Sequence, residues 1–239
     1  MGCSASSTTS NPSMTKKAGK NVPIILGYWD FRGYYYGNVM RFLLAYGYAK
    51  WEEKTFTRSD DTEWLATKPT LMEFANLPYI IHGDFKLSET MAIHQYIAEK
   101  YCPSVNGTTP QEKARSYQLQ SIGCEFGKCI GMAFDPTQTK ETICEEVMDK
   151  LAALGNLLED DRNFLTGDKP IIADFILFEH INYANHMNGG KTYKRYPKAE
   201  AFHGRMANLP GLKEYLAGKH HALSAGTYMP FPPALVDIN

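Results

Sequence analysis

The sequence predicts two domains of different class: an α/β domain over residues 22–102 and an all-helical domain over residues 111–225. Three observations carry this expectation. Up to Tyr101, strand-like and helix-like runs alternate in the order β-α-β and then β-β-α, the pattern of a parallel strand pair followed by a hairpin and a helix. The stretch from Cys102 to Pro110 then holds two prolines and the dipeptide Asn106-Gly107, which reads as a linker. Beyond it the apolar residues recur at helical spacing.

Residues 1–21 are mostly Ser, Thr, Asn, Lys and Gly and are expected to be disordered. Ile24 to Leu26 form a short buried strand. Val39-Met40-Arg41-Phe42-Leu43-Leu44 has the apolar spacing of a helix packed on a sheet. Lys54 to Thr57 supply the next strand, parallel to the first because a crossover helix separates them. Ile80-Ile81-His82-Gly83-Asp84-Phe85 is a hairpin with Gly-Asp at its tip. A helix follows from Met91 to Tyr101, with Ile93, Tyr96, Ile97 and Tyr101 facing inward. This order is that of a thioredoxin-like domain. In the second domain Ile143, Val147, Leu151, Leu154, Leu157 and Leu158 repeat at helical spacing, and Ile172 to Ile181 form a nearly all-apolar, central helix. Residues 226–239 include Pro230, Pro232 and Pro233 and form a non-helical tail.

Composition removes several function classes. A length of 239 residues with 44% hydrophobic residues suffices for a sizeable core. The net charge of −1 argues against a nucleic-acid binder relying on a basic surface. No apolar run approaches the ~20 residues of a transmembrane helix, and no secretory signal is visible. The five cysteines, Cys3, Cys102, Cys124, Cys129 and Cys144, are odd in number and contain no CxxC pair, so they read as free thiols in a reducing compartment. No metal site is expected: His180 and His186 do not share a helical face, and there is no HExxH. Asn106-Gly107-Thr108 matches a glycosylation sequon but reads as a turn.

The residues that carry chemistry cluster around one proline. Pro78 interrupts the strand-like run Asn76-Leu77-Pro78-Tyr79-Ile80-Ile81. Proline cannot donate to a sheet ladder, and a cis peptide at that bond would account for it. The backbone groups before it could then pair with an extended ligand as one more strand. Glu89-Thr90 falls where the second hairpin strand hands over to a helix, whose N-terminus offers unpaired N–H groups to a carboxylate. A strand edge beside an anion site is a receptor for a small acidic peptide.

This arrangement resembles the glutathione site of the cytosolic glutathione transferases. The run Pro23-Ile24-Ile25-Leu26-Gly27-Tyr28-Trp29-Asp30-Phe31-Arg32-Gly33 looks like the opening of their mu class, with sigma-like also open. The likeness extends from about Val22 to about Leu223 and is strongest up to Tyr101. It implies that Tyr28 is the catalytic tyrosine, donating a hydrogen bond that favours the thiolate of glutathione over the thiol. It further implies that Trp29 lies at the site, that Trp64 and Lys68 hold the glycine carboxylate, and that Asn76, Leu77 and Pro78 bind the centre of the tripeptide. Thr90 would take the γ-glutamyl carboxylate and Glu89 its ammonium. Glu125, on the first helix after the linker, would reach the ammonium of a neighbouring copy, implying a homodimer with shared sites. Glutathione is then the co-substrate, and a hydrophobic electrophile is its partner in the cleft between the domains.

The sequence also departs from that pattern. Asp61 stands where the mu class carries an arginine, and Arg58 is the candidate replacement. Tyr34-Tyr35-Tyr36-Gly37-Asn38 is longer and more aromatic than usual and would line the wall beside Tyr28. Phe134 or Asp135 stands where the mu class has a second tyrosine. Ile171 replaces the Ser/Thr cap ahead of Asp174, weakening a capping box. Separately, Met1-Gly2-Cys3-Ser4-Ala5-Ser6 fits the N-myristoylation pattern at Gly2, with Cys3 as a palmitoylation site. Two acyl chains would anchor an otherwise cytoplasmic protein to a membrane. Three functions stand open on these residues: a transferase conjugating glutathione to a hydrophobic electrophile, a non-catalytic scaffold of the same fold, and a glutathione-dependent isomerase.

Overall fold

The computed structural model describes residues 22–30, 36–131, 156, 162–187 and 190–218. Gly2 and Cys3, Tyr34 and Tyr35, Phe134 and Asp135, the apolar repeat from Ile143 to Leu158 and the tail 226–239 lie outside the described residues.

The first part of the chain runs β1 (Ile24–Trp29), α1 (Tyr36–Tyr46), β2 (Trp51–Phe56), α2 (Thr62–Leu71), β3 (Tyr79–His82), β4 (Phe85–Ser88) and α3 (Thr90–Tyr101). The strands form one sheet in the order β2-β1-β3-β4. β1 is parallel to β2 and antiparallel to β3, and β3 is antiparallel to β4. This is a thioredoxin-like domain with a mixed four-stranded sheet. The central strands bury Ile24, Leu26 and Ile80 completely, whereas the edge strand Trp51-Glu52-Glu53-Lys54-Thr55-Phe56 fully buries only Phe56. Arg41 on α1 ties that edge down: its Nε and Nη2 donate to the two carboxylate oxygens of Glu53, each at 2.9 Å.

The helical part comprises α4 (Pro110–Gly131), α5 (Ile172–Met187), α6 (Lys191–Arg195), α7 (Pro197–Ala207) and α8 (Leu212–Ala217). The two parts share one continuous core. Phe42 on α1 meets Phe178 on α5 at 5.2 Å and Tyr215 on α8 at 6.2 Å, and Tyr46 meets Phe175 at 5.3 Å. Burying one such phenylalanine contributes roughly 2 kcal/mol, so α1 belongs as much to the helical domain as to the sheet. Gly211, at φ 77°, lets α8 land on the end of α1, since a Cβ there would lie 2.3 Å from the carbonyl oxygen of Ala45. Among the described residues no helix is long and apolar enough to cross a membrane.

Several element expectations shift. β1 runs on through Tyr28 and Trp29, and β2 begins at Trp51 rather than Lys54. On α3 the buried stripe is Ile93, His94, Ile97 and Ala98. Tyr96 and Tyr101 sit half-buried on its flank, where Tyr101 stacks on His82 at 6.2 Å and the Tyr96 hydroxyl meets His82 Nδ1 at 2.8 Å. The linker contains a 3-10 turn, Pro103–Asn106, that buries Val105. The sequon residue Asn106 is 4% exposed, and its amide donates to Glu99 at 2.8 Å. It is therefore closed to a glycan in the folded chain.

Two helix starts show how local sequence sets local structure. α4 begins with a complete capping box. Thr109 Oγ1 accepts the Glu112 N–H at 3.1 Å, and Glu112 Oε2 accepts the N–H of Thr109 at 3.0 Å and of Thr108 at 2.7 Å. The Thr108 hydroxyl, which donates to the same oxygen at 2.6 Å, and then the two N–H groups hold the Glu112 carboxyl down at about 2. A depressed carboxylate stabilises above its unfolded value and loses that contribution as pH falls through the folded one. The start of α4 should therefore loosen between about pH 4.5 and 2. Amide exchange at Thr108 and Thr109 will show this loosening, and Glu112→Gln should abolish its pH dependence.

At the start of α5, Asp174 accepts the N–H of Ile171 at 2.8 Å and of Leu165 at 2.9 Å, while burial pushes its carboxyl up to about 7 against these bonds. Ile171 has no hydroxyl to complete the box, and the Asp174 N–H turns to the Ile171 carbonyl at 2.9 Å.

Candidate functional site

The strand register brings distant residues to one end of the sheet. Gly27 pairs with Tyr79 and Tyr79 pairs with Ser88. Tyr28 follows Gly27, Pro78 precedes Tyr79 and Glu89 follows Ser88, so all three lie in one row beside the last residues of β2. Tyr28 is 3% exposed. Two glycines make its surroundings possible. A Cβ on Gly27 would lie 2.2 Å from the Tyr79 ring, and one on Gly37 would lie 2.4 Å from Cδ1 of Tyr28. Tyr79 thus crosses over one glycine, and Tyr28 rests on the other.

Next to this row stands a small aromatic cluster separate from the main core. Trp64 stacks on Tyr79 at 6.3 Å and 15°, and meets Phe56 at 5.3 Å and Trp29 at 6.3 Å edge-on. Leu77, Leu71, Met72 and Ala75 pack against the same group. Burial, with the Glu63 carboxylate adding to it, raises the Tyr79 phenol above its ordinary range, so it stays protonated. Two cations sit over the rim: the Arg58 guanidinium 5.4 Å from the Trp29 ring and the Lys68 ammonium 5.9 Å from the Trp64 ring. Asp61 stands at the start of α2 without a side-chain capping bond.

The Leu77-Pro78 peptide is cis. Asn76 is exposed, and its Oδ1 accepts the Leu77 N–H at 3.0 Å. An extended ligand pairing with that N–H must displace the amide oxygen. Glu89 takes φ 71° and ψ 118°, an unfavourable backbone for a residue with a side chain, costing about 1–3 kcal/mol. Ser88, just before it, bonds through its hydroxyl to the Phe74 carbonyl. No side chain of Glu89 caps α3, and no acidic residue occupies its first turn. The first N–H groups of that helix, from Thr90 on, therefore face the end of the sheet with the positive end of the dipole.

Of the residues the sequence singled out, Tyr28, Trp29, Trp64, Lys68, Asn76, Leu77, Pro78, Glu89 and Thr90 come together at this end of the sheet. Glu125 does not join them through its own element: it is exposed on α4 and ion-paired with Lys128. Sequence reasoning missed Phe56 and Tyr79 as partners of Trp64. It also passed over Gly27, although a glycine inside a strand pattern signals a close approach. The backbone of Glu89 left no sequence signal.

Residues 25–99 match the family model "Glutathione S-transferase, N-terminal domain", and residues 126–219 match "Glutathione S-transferase, C-terminal domain". A class-mu 26 kDa glutathione S-transferase isozyme of Fasciola hepatica is 30% identical over 199 residues, covering 82% of this chain and 88% of that protein. The class-mu 26 kDa isozyme of Schistosoma japonicum is 31% identical over 197 residues, covering 80% and 87%. A solved Pi-class glutathione S-transferase of Onchocerca volvulus superposes with a TM-score of 0.69 at 25% identity, covering 80% of this chain and 91% of that one.

Proposed function

Because the chain belongs to the glutathione S-transferase family, we propose that it binds glutathione at the end of its sheet and transfers the thiolate to a hydrophobic electrophile. The observation that supports this best is the register row itself. It gathers a phenol, the Leu77 backbone before the cis bond to Pro78 and the uncapped start of α3 beside Trp29, Trp64, Lys68 and Arg58. Such a set suits a tripeptide with a carboxylate at each end. One carboxylate goes to Lys68, Trp64 and Arg58, and the other to Thr90 and the helix start, with Glu89 on the ammonium. The central cysteine then lies over Leu77 and Pro78, with its sulfur toward Tyr28. A hydrogen bond from the phenol stabilises the thiolate, which is the nucleophile.

The working unit is a homodimer in this reading. Phe74, 73% exposed two residues before Asn76, and the exposed Tyr117 and Ile122 on α4 offer apolar surface to a second copy, and Glu125 would act across it. The reading also includes acylation of Gly2 and Cys3, supported by the Met1–Ser6 pattern. Gly2→Ala should then move the protein from the membrane to the soluble fraction of a eukaryotic cell, and an unchanged distribution contradicts acylation.

The assay is conjugation of glutathione to a chlorodinitrobenzene-type electrophile by the full chain. Saturable turnover supports the reading. A folded protein that binds glutathione without turnover points to the scaffold, and one that does not bind it overturns the assignment.

A further inference from the structure

The first turn of α1 joins the site to the helical domain. Gly37 in that turn is the floor under Tyr28, since a Cβ on it would meet the phenol ring at 2.4 Å. Both chain neighbours of Gly37 bond to the other domain. Asn38 Nδ2 donates to Oε2 of Glu179 on α5 at 2.7 Å, with Asn38 0% and Glu179 2% exposed. The Tyr36 hydroxyl donates to the Cys124 carbonyl on α4 at 3.4 Å. Gly127, one turn further along α4, leaves room for that hydroxyl, because a Cβ there would lie 3.2 Å from it.

The other large side chains that α1 buries, Val39, Met40, Phe42, Leu43 and Leu44, are all apolar. A polar pair in this place is an exception to the packing. A buried hydrogen bond to a carboxylate fixes position more sharply than apolar contact does, and its loss is costly. The hydrogen bond from a phenol to a sulfur tolerates little displacement, so whatever fixes the floor under the ring governs how well the ring works.

We propose that Asn38 and Glu179 are positioning residues for Tyr28: the helical domain holds the first turn of α1 through this pair, and Gly37 in that turn sets where the phenol lies. The inference rests on the reading of Tyr28 as the thiol-activating group. It makes the helical domain, which carries none of the residues assigned to glutathione within the same chain, a determinant of thiol activation. The Tyr36 bond to α4 steadies the same turn from the other side.

The test is the pKa of the glutathione thiol in its binary complex with the full chain. It is read from the ultraviolet absorbance of the thiolate and recorded with the glutathione Kd and the thermal midpoint. A residue with a merely structural role would move the midpoint and leave the thiol pKa alone. Asn38→Ala should raise the thiol pKa most of the way to the Tyr28→Phe value and lower kcat/KM by about 10-fold. Glu179→Gln in the otherwise unmodified chain keeps an acceptor oxygen for Asn38 and should leave the thiol pKa close to its original value.

An Asn38→Ala protein that binds glutathione with the original thiol pKa overturns the inference. If that variant does not fold, the double replacement Asn38→Leu with Glu179→Met removes the tether without leaving a lone buried charge, and the same criterion applies. Tyr28→Phe run alongside separates the two failures. No shift for Tyr28→Phe sinks the reading of Tyr28 and this inference with it, whereas a shift for Tyr28→Phe and none for the tether variants sinks this inference alone.

Discussion

Tyr28→Phe is expected to lower kcat/KM for glutathione conjugation by about 10-fold or more, the scale of losing a preorganised hydrogen bond to a resident charge. The substitution removes one oxygen from a ring that is 3% exposed and packed on Gly37, so the fold should hold. Glutathione affinity should change little, because the binding contacts proposed for its two carboxylates lie on other residues. The loss should shrink as pH rises toward the ordinary thiol range near ~8.5, where solvent supplies the thiolate without help. Initial rates across pH for both proteins measure this. A variant with undiminished kcat/KM near neutrality would remove Tyr28 from the chemistry.

Gly27→Ala is the substitution expected to harm the fold and the site together. A Cβ at this position would lie 2.2 Å from the Tyr79 ring, and Tyr79 cannot simply swing away because Trp64 is stacked on it at 6.3 Å. Overpacking of this kind costs roughly 2–3 kcal/mol, which for a chain of this size lowers the thermal midpoint by roughly 5–10 °C. Displacement of Tyr79 carries Trp64 with it, and Lys68 lies over Trp64, so glutathione affinity should fall as well. Gly204→Ala is the control. A Cβ there meets nothing within 4 Å in the middle of α7, so it should be neutral or slightly stabilising. Thermal melts of the two variants beside the parent protein decide the matter.

The sheet domain was readable in the sequence because its signals are local. A hairpin with Gly83 at its tip, a helix with apolar residues at regular spacing and a proline inside a strand each carry their own cause. The boundaries were less readable, since β2 is an edge strand whose exposed Glu52 and Glu53 hide its start. The candidate site residues could be named as a set only through the resemblance to a known family, not because spacing alone placed them. What escaped is what arises from packing between elements. The stack of Trp64 on Tyr79, the rest of Tyr28 on Gly37 and the bond from Asn38 to Glu179 join residues far apart in the chain. The start of α4 is the opposite case: Thr109-Pro110-Gln111-Glu112 carries a full capping-box signature, but the neighbouring Asn106-Gly107 and prolines made the stretch read only as linker.

The central claim is that the end of the sheet turns the thiol of glutathione into a thiolate through Tyr28. The most direct measurement is an ultraviolet titration of the thiolate in the complex of glutathione with the unmodified chain. The account predicts a bound thiol that ionises at least about one pH unit below free glutathione, and a return toward the free value in Tyr28→Phe. A bound thiol that titrates as it does in water would contradict the account, even in a protein that binds glutathione well.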